Sequence, residues 1–164
     1  MLREISVVSM VRTLQYKELK NLPWEHGRCS FRISHKPKIS AVVFRSGKVL
    51  IYGGNGGEAP NQFLSELNKK VGSDSCGEIH ISNQVIRANV GGRVDLISSH
   101  GELLNCEYEP EQFPGLIIHG DDGLTMLVFS SGKVIITGIK GDVNSTPDLI
   151  SEAVDWSNEL VMVR

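Results

Sequence analysis

Long apolar runs and a signal-peptide core are both missing from this sequence of 164 residues. No run approaches the roughly 18 apolar residues that a membrane-spanning helix needs. Residues 1–4 lead directly into an alternation of polar and apolar residues, without the apolar stretch that marks a secretory signal. These absences predict an intracellular protein that does not have a membrane as a partner.

Paired cysteines and motifs of enzyme chemistry are also missing. Cys29, Cys76 and Cys106 lie far apart and form no C-x-x-C pair, so free or buried thiols are expected rather than disulfides or a metal site. The five histidines are scattered, with no nucleophile motif near them. The glycines of 53–57 are not followed by Lys-Ser/Thr, which favours a strand-to-helix turn over a phosphate-binding loop. We predict no enzymatic activity and no cofactor.

Charge is distributed unevenly along a chain whose totals almost balance. The 17 basic and 19 acidic side chains give a formal charge of −2, and a hydrophobic content of 40% is that of a globular protein. Residues 1–77 alone carry +6, whereas residues 78–164 carry −8. A polyanion should therefore prefer the first half, unless both halves simply present solvated faces.

The chain contains an internal repeat with an offset of 85 residues. Phe44–Gly53 reads F-R-S-G-K-V-L-I-Y-G, and Phe129–Gly138 reads F-S-S-G-K-V-I-I-T-G. In each copy an apolar run meets a Ser-Gly turn and returns as a second apolar run, which predicts a β-hairpin. The repeat divides the chain into two predicted domains, residues 1–77 and 78–164.

Both copies show the same order of predicted elements. Each opens with a strand, continues with a short helical piece over 16–22 or 94–100, and then forms further antiparallel strands. Each closes with an amphipathic helix, over 60–71 or 147–158. The predicted fold class is α+β, with the helices on one side of a continuous antiparallel sheet. The opposite face stays uncovered, and such a face is normally a binding surface.

Two long motifs in the second copy are specific enough to indicate a family. Tyr108–Ile117 reads Y-E-P-E-Q-F-P-G-L-I, and Leu127–Gly138 reads L-V-F-S-S-G-K-V-I-I-T-G. Both resemble the TATA-box-binding protein (TBP) family, especially its archaeal members, and with the weaker first copy the resemblance covers nearly the whole chain. It implies a TBP-like saddle of two pseudo-repeats with helices on the convex face. Its concave sheet would lie on the DNA minor groove, where phenylalanines wedge between base steps and kink the duplex.

In the second copy the resemblance assigns roles residue by residue. Phe113 and Phe129 match the wedge pair, and Asn83 matches the amide that reads minor-groove acceptors near the centre of the site. An aromatic ring can replace lost base stacking, and an amide donor tolerates both A·T and T·A because their minor-groove acceptors are nearly equivalent. The groove-lining matches are Val85, Leu127, Ile135 and Thr137.

The first copy departs from this pattern. Phe44 is kept as a wedge, although it could instead stack on Phe31 or Trp24. Counting 17 residues back from Phe44, which is the family's spacing, reaches Gly27, so the partner wedge is missing. The other matched positions hold Ser6 for the amide, Tyr52 for the threonine, and Val8, Val42 and Leu50 for the groove lining.

Basic side chains of the first copy fall on predicted strands and loops of the DNA-facing sheet. They could neutralise phosphates, and contacts of that kind depend on salt but not on base sequence. The charge therefore indicates nucleic acid in general, and the alternative is a solvated face. The residues are Arg28, Arg32, Lys36, Lys38, Arg45 and Lys48.

The acidic segment before Phe113 indicates a protein partner. In the family this segment docks transcription factor B, and its matches here are Glu109, Glu111 and Gln112. The predicted function is a general transcription initiation factor that binds and bends A/T-rich promoter DNA and recruits transcription factor B. The alternative is a diverged paralogue with weakened DNA binding that regulates transcription through protein contacts.

The same resemblance sets expectations for location and assembly. An archaeal protein would lie in the cytoplasm or nucleoid, and a eukaryotic one in the nucleus. On double-stranded DNA the chain is expected to be a monomer, with dimerisation of the isolated protein left open.

Overall fold

The computed structural model describes residues 1–35, 37–54, 60–73 and 76–164. In the first part of the chain the elements are β1 (Arg3–Gln15), β2 (Arg28–His35), β3 (Lys38–Phe44), β4 (Lys48–Gly53) and α1 (Pro60–Val71). They are followed by β5 (His80–Asn89), α2 (Leu96–Glu102), β6 (Cys106–Glu107), β7 (Leu116–His119), β8 (Thr125–Val128), β9 (Lys133–Ile139), a 3₁₀ turn (Pro147–Ile150) and α3 (Ser151–Glu159).

The strands form one nine-stranded sheet in the order β2-β3-β4-β1-β5-β9-β8-β7-β6. Its registered pairs are antiparallel, so the predicted α+β class is confirmed. Lys36 and residues 55–57 of the predicted strand-to-helix turn lie outside the described residues. No helix in the described part of the chain is long and apolar enough to cross a bilayer.

Packing divides the chain into two compact units. The N-terminal unit is Ser9–Asn83, and the C-terminal unit is Gln84–Arg164 together with Met1–Val8. This boundary differs from the division at residue 77 that the repeat predicts, because β1 changes unit after Val8 and β5 changes unit after Asn83. The superposition of residues 1–77 on 78–164 stays a prediction.

In the N-terminal unit, one face of the sheet packs against α1. Side chains along β3 and β4 alternate between buried and more exposed positions, as expected for a sheet with one covered face. Val43 and Ile51 share a core with Phe63 and Leu67 of α1, which lie one helical turn apart on one side of that helix. Arg12 is buried in the same region, with its guanidinium carbon 5.2 Å from the centre of the Phe63 ring.

In the C-terminal unit, α3 and the 3₁₀ turn before it cover the sheet in the same way. Ile150 and Ala153 share a core with Val128 and Ile136, and all four side chains are almost fully buried. Burial of a valine or isoleucine of this kind contributes about 1.5–3 kcal/mol. The two predicted closing helices therefore form, and each one holds the covered face of its own unit.

Two glycines at equivalent positions of the repeat have backbone conformations that other residues rarely adopt. Gly53 has φ +102° and Gly138 has φ +79°. A Cβ at Gly53 would lie 2.2 Å from the Lys38 carbonyl oxygen, and one at Gly138 would lie 2.1 Å from the Gly123 carbonyl oxygen. Both hairpins thus need glycine for its positive φ and for the close approach of a neighbouring strand end.

The short helix predicted over residues 16–22 is wrong. The Tyr16 N–H donates to the Gly47 carbonyl at 2.8 Å, and the Lys20 N–H donates to the Val71 carbonyl at 3.0 Å. These donors are therefore bonded to distant parts of the unit instead of to carbonyls four residues earlier. Tertiary contacts override the local helix propensity here.

The corresponding helix predicted over 94–100 does form, as α2. It begins after Asp95, whose side chain accepts a hydrogen bond from the Ser98 N–H at 3.0 Å and a second from the Ser98 hydroxyl at 2.9 Å. The hydrogen bond from the Ser98 backbone holds the pKa of Asp95 below its ordinary value. A side-chain N-cap thus distinguishes this segment from residues 16–22.

Candidate nucleic-acid interface

The sheet face of the C-terminal unit that lies opposite α3 carries a row of side chains across four strands. Ile117 of β7 pairs with Leu127 of β8, Leu127 pairs with Ile135 of β9, and Ile135 pairs with Arg87 of β5. The three aliphatic side chains are half-buried, and Arg87 at the end of the row is exposed. We call this set the C-terminal row. Its flat aliphatic surface suits contact with a groove that is read by shape.

A second row beside it holds the smaller polar groups. His119 pairs with Thr125, and Thr125 pairs with Thr137. Val85 lies at a register shift where β9 has one residue more than β5. The predicted groove residues of the second copy therefore share this face, except that Asn83, half-buried on β5, belongs to the N-terminal unit.

The predicted wedge residues of the second copy form a ring pair. The ring centres of Phe113 and Phe129 lie 5.7 Å apart, with an interplanar angle of 67°. Both side chains are half-buried and neither belongs to the core of the unit. The two rings pack against Gly115, where a Cβ would lie 2.9 Å from the Phe113 ring and 3.2 Å from the Phe129 ring. This role of Gly115 was not predicted from the sequence, although the glycine lies within the motif Tyr108–Ile117.

The acidic segment before Phe113 is a turn that is exposed to solvent. The Glu109 carbonyl accepts hydrogen bonds from the N–H groups of Gln112, at 2.9 Å, and Phe113, at 3.0 Å. The side chains of Glu109, Glu111 and Gln112 are all exposed. The turn thus presents its carboxylates to solvent while it holds the backbone that leads into the first ring.

Two corresponding rows cross the N-terminal unit. The first runs Ser30–Val42–Leu50–Thr13, and the second runs Arg32–Ser40–Tyr52–Val11. Val42 and Leu50 are half-buried, as their counterparts in the C-terminal row are. Tyr52, however, is 42% exposed where the other unit has the small Thr137. We call these two sets the N-terminal rows.

The register revises two assignments in the first copy. Tyr52 and Leu50, which the repeat equates with Thr137 and Ile135, pair with Val11 and Thr13 of β1. Val11 therefore occupies the position of Val85, and Ser9 that of Asn83, in place of Val8 and Ser6. The copies differ in the number of residues between the first strand and the hairpin, so equivalent residues of the first strand cannot be found by a constant offset in the sequence. Val8 is 44% exposed and belongs to the C-terminal unit.

The wedge position of the first copy is also revised, from Gly27 to His26. Cys29 pairs with Val43 as Leu116 pairs with Val128, but the hairpin between the first two is longer. Counting back three residues from Cys29, as from Leu116 to Phe113, reaches His26. His26 and Gly27 have φ values of +54° and +79° and form the centre of a tight turn closed by hydrogen bonds between Glu25 and Arg28. An exposed imidazole on a tight turn thus stands where the second copy has a phenylalanine.

Phe44 lies on the N-terminal rows' side of β3 without a stacking partner in the described residues. Phe31 and Trp24 pack against the core of the unit instead, so stacking of Phe44 on either ring is not observed. The Trp24 ring is covered by Arg45, whose guanidinium carbon lies 5.7 Å from the ring centre.

The electrostatic difference between the halves persists in the packed units. The N-terminal unit has 11 basic and 6 acidic side chains, and the C-terminal unit has 6 and 13. The described members of the basic set predicted to face phosphates are all exposed. They are Arg28, Arg32, Lys38, Arg45 and Lys48.

The three cysteines lie apart from one another and form no disulfide. Cys29, Cys76 and Cys106 are free and half-buried. The Cys106 thiol donates to the carbonyls of Leu103, at 3.4 Å, and His100, at 3.6 Å, and burial raises the pKa of this thiol above its ordinary value. Within the described residues no three His, Cys, Asp or Glu side chains cluster as metal ligands would.

Comparison with solved structures supports the fold. A structure described as Methanococcus jannaschii TBP superposes with a TM-score of 0.76 and 31% sequence identity. The match covers 95% of this chain and 99% of that one.

Comparison of sequences gives the same family. The family described as "Transcription factor TFIID (or TATA-binding protein, TBP)" matches residues 78–147. The TATA-box-binding protein of Natronomonas pharaonis is 38% identical over 130 residues, which are 74% of this chain and 67% of that protein. That of Pyrodictium occultum is 41% identical over 111 residues, or 63% of this chain and 55% of that protein. The chain spans less than two thirds of the length of the latter relative. The match to the Natronomonas pharaonis protein shows that the chain belongs to the TATA-box-binding protein family.

Proposed function

We propose that this chain is a general transcription initiation factor that binds A/T-rich promoter DNA in the minor groove and kinks it. The observation that carries the proposal is the Phe113–Phe129 ring pair on Gly115, beside the aliphatic C-terminal row. Opening a base step costs a few kcal/mol, and an inserted aromatic ring restores part of the lost stacking. The proposed function is binding rather than catalysis.

Base preference would come from small polar groups near the rows. Asn83 and Thr137 suit acceptors on the floor of the minor groove, where A·T and T·A look alike and G·C adds an amino group. The exposed cations of the N-terminal unit would contact phosphates and position the duplex without reading its sequence.

The exposed turn of Glu109, Glu111 and Gln112 would recruit transcription factor B. Two carboxylates on a hydrogen-bonded turn favour a basic partner surface, and they lie directly before the wedge pair. The protein would then work with DNA in the nucleoid.

A second candidate function is a diverged paralogue that binds DNA weakly and regulates transcription through protein contacts. Two observations favour it, both in the N-terminal unit. His26 replaces the wedge phenylalanine, and the large Tyr52 replaces the small groove threonine.

Two assays test these functions: an electrophoretic mobility shift assay and a fluorescence-based bending assay. Each is run on an A/T-rich duplex and on a G/C-rich duplex, with and without transcription factor B. The first proposal expects preferential binding and bending of the A/T-rich duplex. Equal binding of both duplexes, or none, would overturn it in favour of the paralogue.

For the partner, Glu109→Arg with Glu111→Arg should abolish the ternary complex. The matched control, Asp155→Arg with Glu159→Arg on α3, should retain it; equal effects of the two pairs would remove the role of the turn.

A further inference from the structure

A histidine and a glutamate lie side by side at the edge of the sheet face that carries the C-terminal row. Glu107 of β6 pairs with Ile117, so it extends the C-terminal row by one strand. His119 of β7 pairs with Thr125 and begins the second row. The His119 Nε2 atom lies 3.8 Å from Glu107 Oε2, and the two side chains are 50% and 65% exposed. Because residues paired across strands share a sheet face, both lie on the surface proposed to contact DNA.

The surroundings of His119 contain carboxylates and a second imidazole. Glu107 of β6, Asp121 of the turn after β7 and His100 of α2 line one concavity together with His119. The Cys106 thiol in the same lining donates to two backbone carbonyls. No lysine or arginine is among the described residues of this lining. With a neutral imidazole, this edge of the sheet therefore repels a phosphate, and His119 is the group on the DNA-facing side that can reverse this.

The equivalent position of the N-terminal unit holds an arginine. Arg32 begins the row that crosses β3 and reaches Tyr52 on β4, and His119 begins the row that crosses β8 and reaches Thr137 on β9. Both side chains are exposed. A guanidinium stays charged at every pH at which proteins function, whereas an ordinary imidazole gains its charge between about pH 8 and pH 5. The same row position thus has a permanent cation in one unit and a conditional cation in the other.

We infer that His119 contacts a backbone phosphate of DNA only when its imidazole is protonated, an inference that rests on the proposed function. The Nε2 side of the ring faces Glu107, which leaves Nδ1 for a second partner. A neutral ring that donates from Nε2 has a lone pair on Nδ1, and this lone pair repels a phosphate oxygen. The imidazolium has an N–H group on both nitrogens, so it faces the carboxylate with one and donates to the phosphate with the other.

DNA phosphate fits this position better than a basic protein segment does. His119 begins the row of small polar residues that crosses the proposed groove surface, and its counterpart Arg32 is a cation that suits phosphate and not a basic partner. Binding through His119 takes up a proton. The affinity for DNA therefore rises as the pH falls, in proportion to the fraction of His119 that is charged.

The pH dependence of DNA binding tests this contact. Fluorescence anisotropy measures the affinity for one A/T-rich duplex at pH 6 and at pH 8, at fixed ionic strength. We expect the unchanged protein to bind about tenfold more tightly at pH 6, as for one hydrogen bond to a charged group. His119→Gln should lose most of this difference and bind weakly at both pH values. His119→Arg, which introduces the residue of the N-terminal unit, should also lose the difference but bind tightly at both.

The salt dependence provides a second readout, which a purely structural role of His119 would not change. In the unchanged protein the slope of log affinity against log salt should be steeper at pH 6 than at pH 8 by about 0.9, the value for one neutralised phosphate. In His119→Arg the slope should be the same at both pH values. In His119→Gln it should stay at the shallower value.

The matched control is His100→Gln, which removes the other histidine of the concavity. His100 lies on α2, whose Leu96 packs into the core on the covered side of the sheet, so this variant should keep the pH dependence. Loss of the pH dependence in the control would overturn the inference and leave the proposed function standing. Equal affinity of the unchanged protein at both pH values, or a pH dependence that persists in His119→Gln and His119→Arg, would do the same.

Two further outcomes separate this contact from the other proposals. A pH dependence that arises only after transcription factor B is added would overturn the phosphate contact and assign His119 and Glu107 to a protein interface. Absence of DNA binding by the unchanged protein at both pH values would overturn the proposed function and this inference together.

Discussion

The N-terminal and C-terminal units share a backbone plan but differ in surface chemistry. Each unit places one helix against a sheet, needs a glycine at the same point of its second hairpin, and presents two cross-strand rows on the opposite face. The C-terminal unit is acidic and carries a complete ring pair. The N-terminal unit is basic and carries His26 and Tyr52 at the corresponding positions. Core packing and turn geometry thus constrain the two units alike, whereas the open face is free to diverge.

The strongest test of the shared backbone is substitution of the two equivalent strand glycines with positive φ. Gly53→Ala and Gly138→Ala should each lower the free energy of unfolding by about 3 kcal/mol or more, because a Cβ would meet a carbonyl oxygen and positive φ is strained. Gly101→Ala is the control, since a Cβ there meets no atom within 4 Å and alanine favours helix α2. Thermal denaturation measures all three. A mild effect at Gly53 or Gly138 would show that one unit tolerates a rearranged hairpin.

Removal of the Phe113–Phe129 ring pair should reduce DNA binding and bending far more than removal of the Phe44 ring. Phe113→Ala with Phe129→Ala should weaken binding to A/T-rich DNA by about 2 kcal/mol, or roughly 30-fold, and abolish most bending. Phe44→Ala should have a much smaller effect because its ring has no aromatic partner among the described residues. Fluorescence anisotropy and bending assays measure the two losses. Similar losses from the changes in the two units would mean that the N-terminal unit kinks DNA without a ring pair.

Exchange of the residues at the groove position of Thr137 and Tyr52 should change DNA affinity in opposite directions in the two units. Thr137→Tyr should weaken DNA binding by about tenfold, because a large side chain holds a flat row away from the groove floor. Tyr52→Thr should strengthen binding by a smaller factor. Fluorescence anisotropy on A/T-rich and G/C-rich duplexes measures both changes. Weaker binding after Tyr52→Thr would show instead that the phenol makes a favourable contact.

The smallest expected effect concerns the helix that only the C-terminal unit forms at this point of the repeat. The pKa of Asp95 is lowered in the folded protein, so its charge stabilises α2 above the ordinary aspartate pKa. That contribution is lost as the pH falls through the lowered pKa. Asp95→Ala should therefore reduce Tm near neutral pH but leave it unchanged in strong acid. Asp155→Ala, an exposed carboxylate within α3, is the control, and a reduction that persisted in strong acid would argue against the cap.

The sequence was sufficient to predict the fold wherever a pattern is local. Hydrophobic alternation and the Ser-Gly turns predicted the hairpins, and the apolar spacing predicted α1 and α3. The helix over 16–22 failed because its backbone donors bond to Gly47 and Val71, which are distant in the chain. Local propensity contains no information about such partners.

The candidate site was predictable where the two copies have the same spacing. Leu127 and Ile135 pair across β8 and β9, and Thr137 lies two residues beyond Ile135, so the three share one face. The assignments of Val8 and Gly27 differ from those that the register gives, because the copies differ in the length of a hairpin or connection. Only the cross-strand register reveals this difference. The contact of Arg45 with Trp24 was not predictable, since these two residues come together only through the fold.

The two rings of the second copy pack where Gly115 has no side chain. A ring pair therefore depends on the glycine as well as on the aromatic residues. Arg28 pairs with Phe44 at the place that corresponds to Gly115, so the first copy has no glycine at the position where the second copy accommodates its two rings. His26→Phe alone would add an aromatic ring without the space that a glycine leaves for it. Arg28→Gly alone would leave that space without a second ring. A second ring pair would therefore require both changes, and neither single substitution is expected to create one.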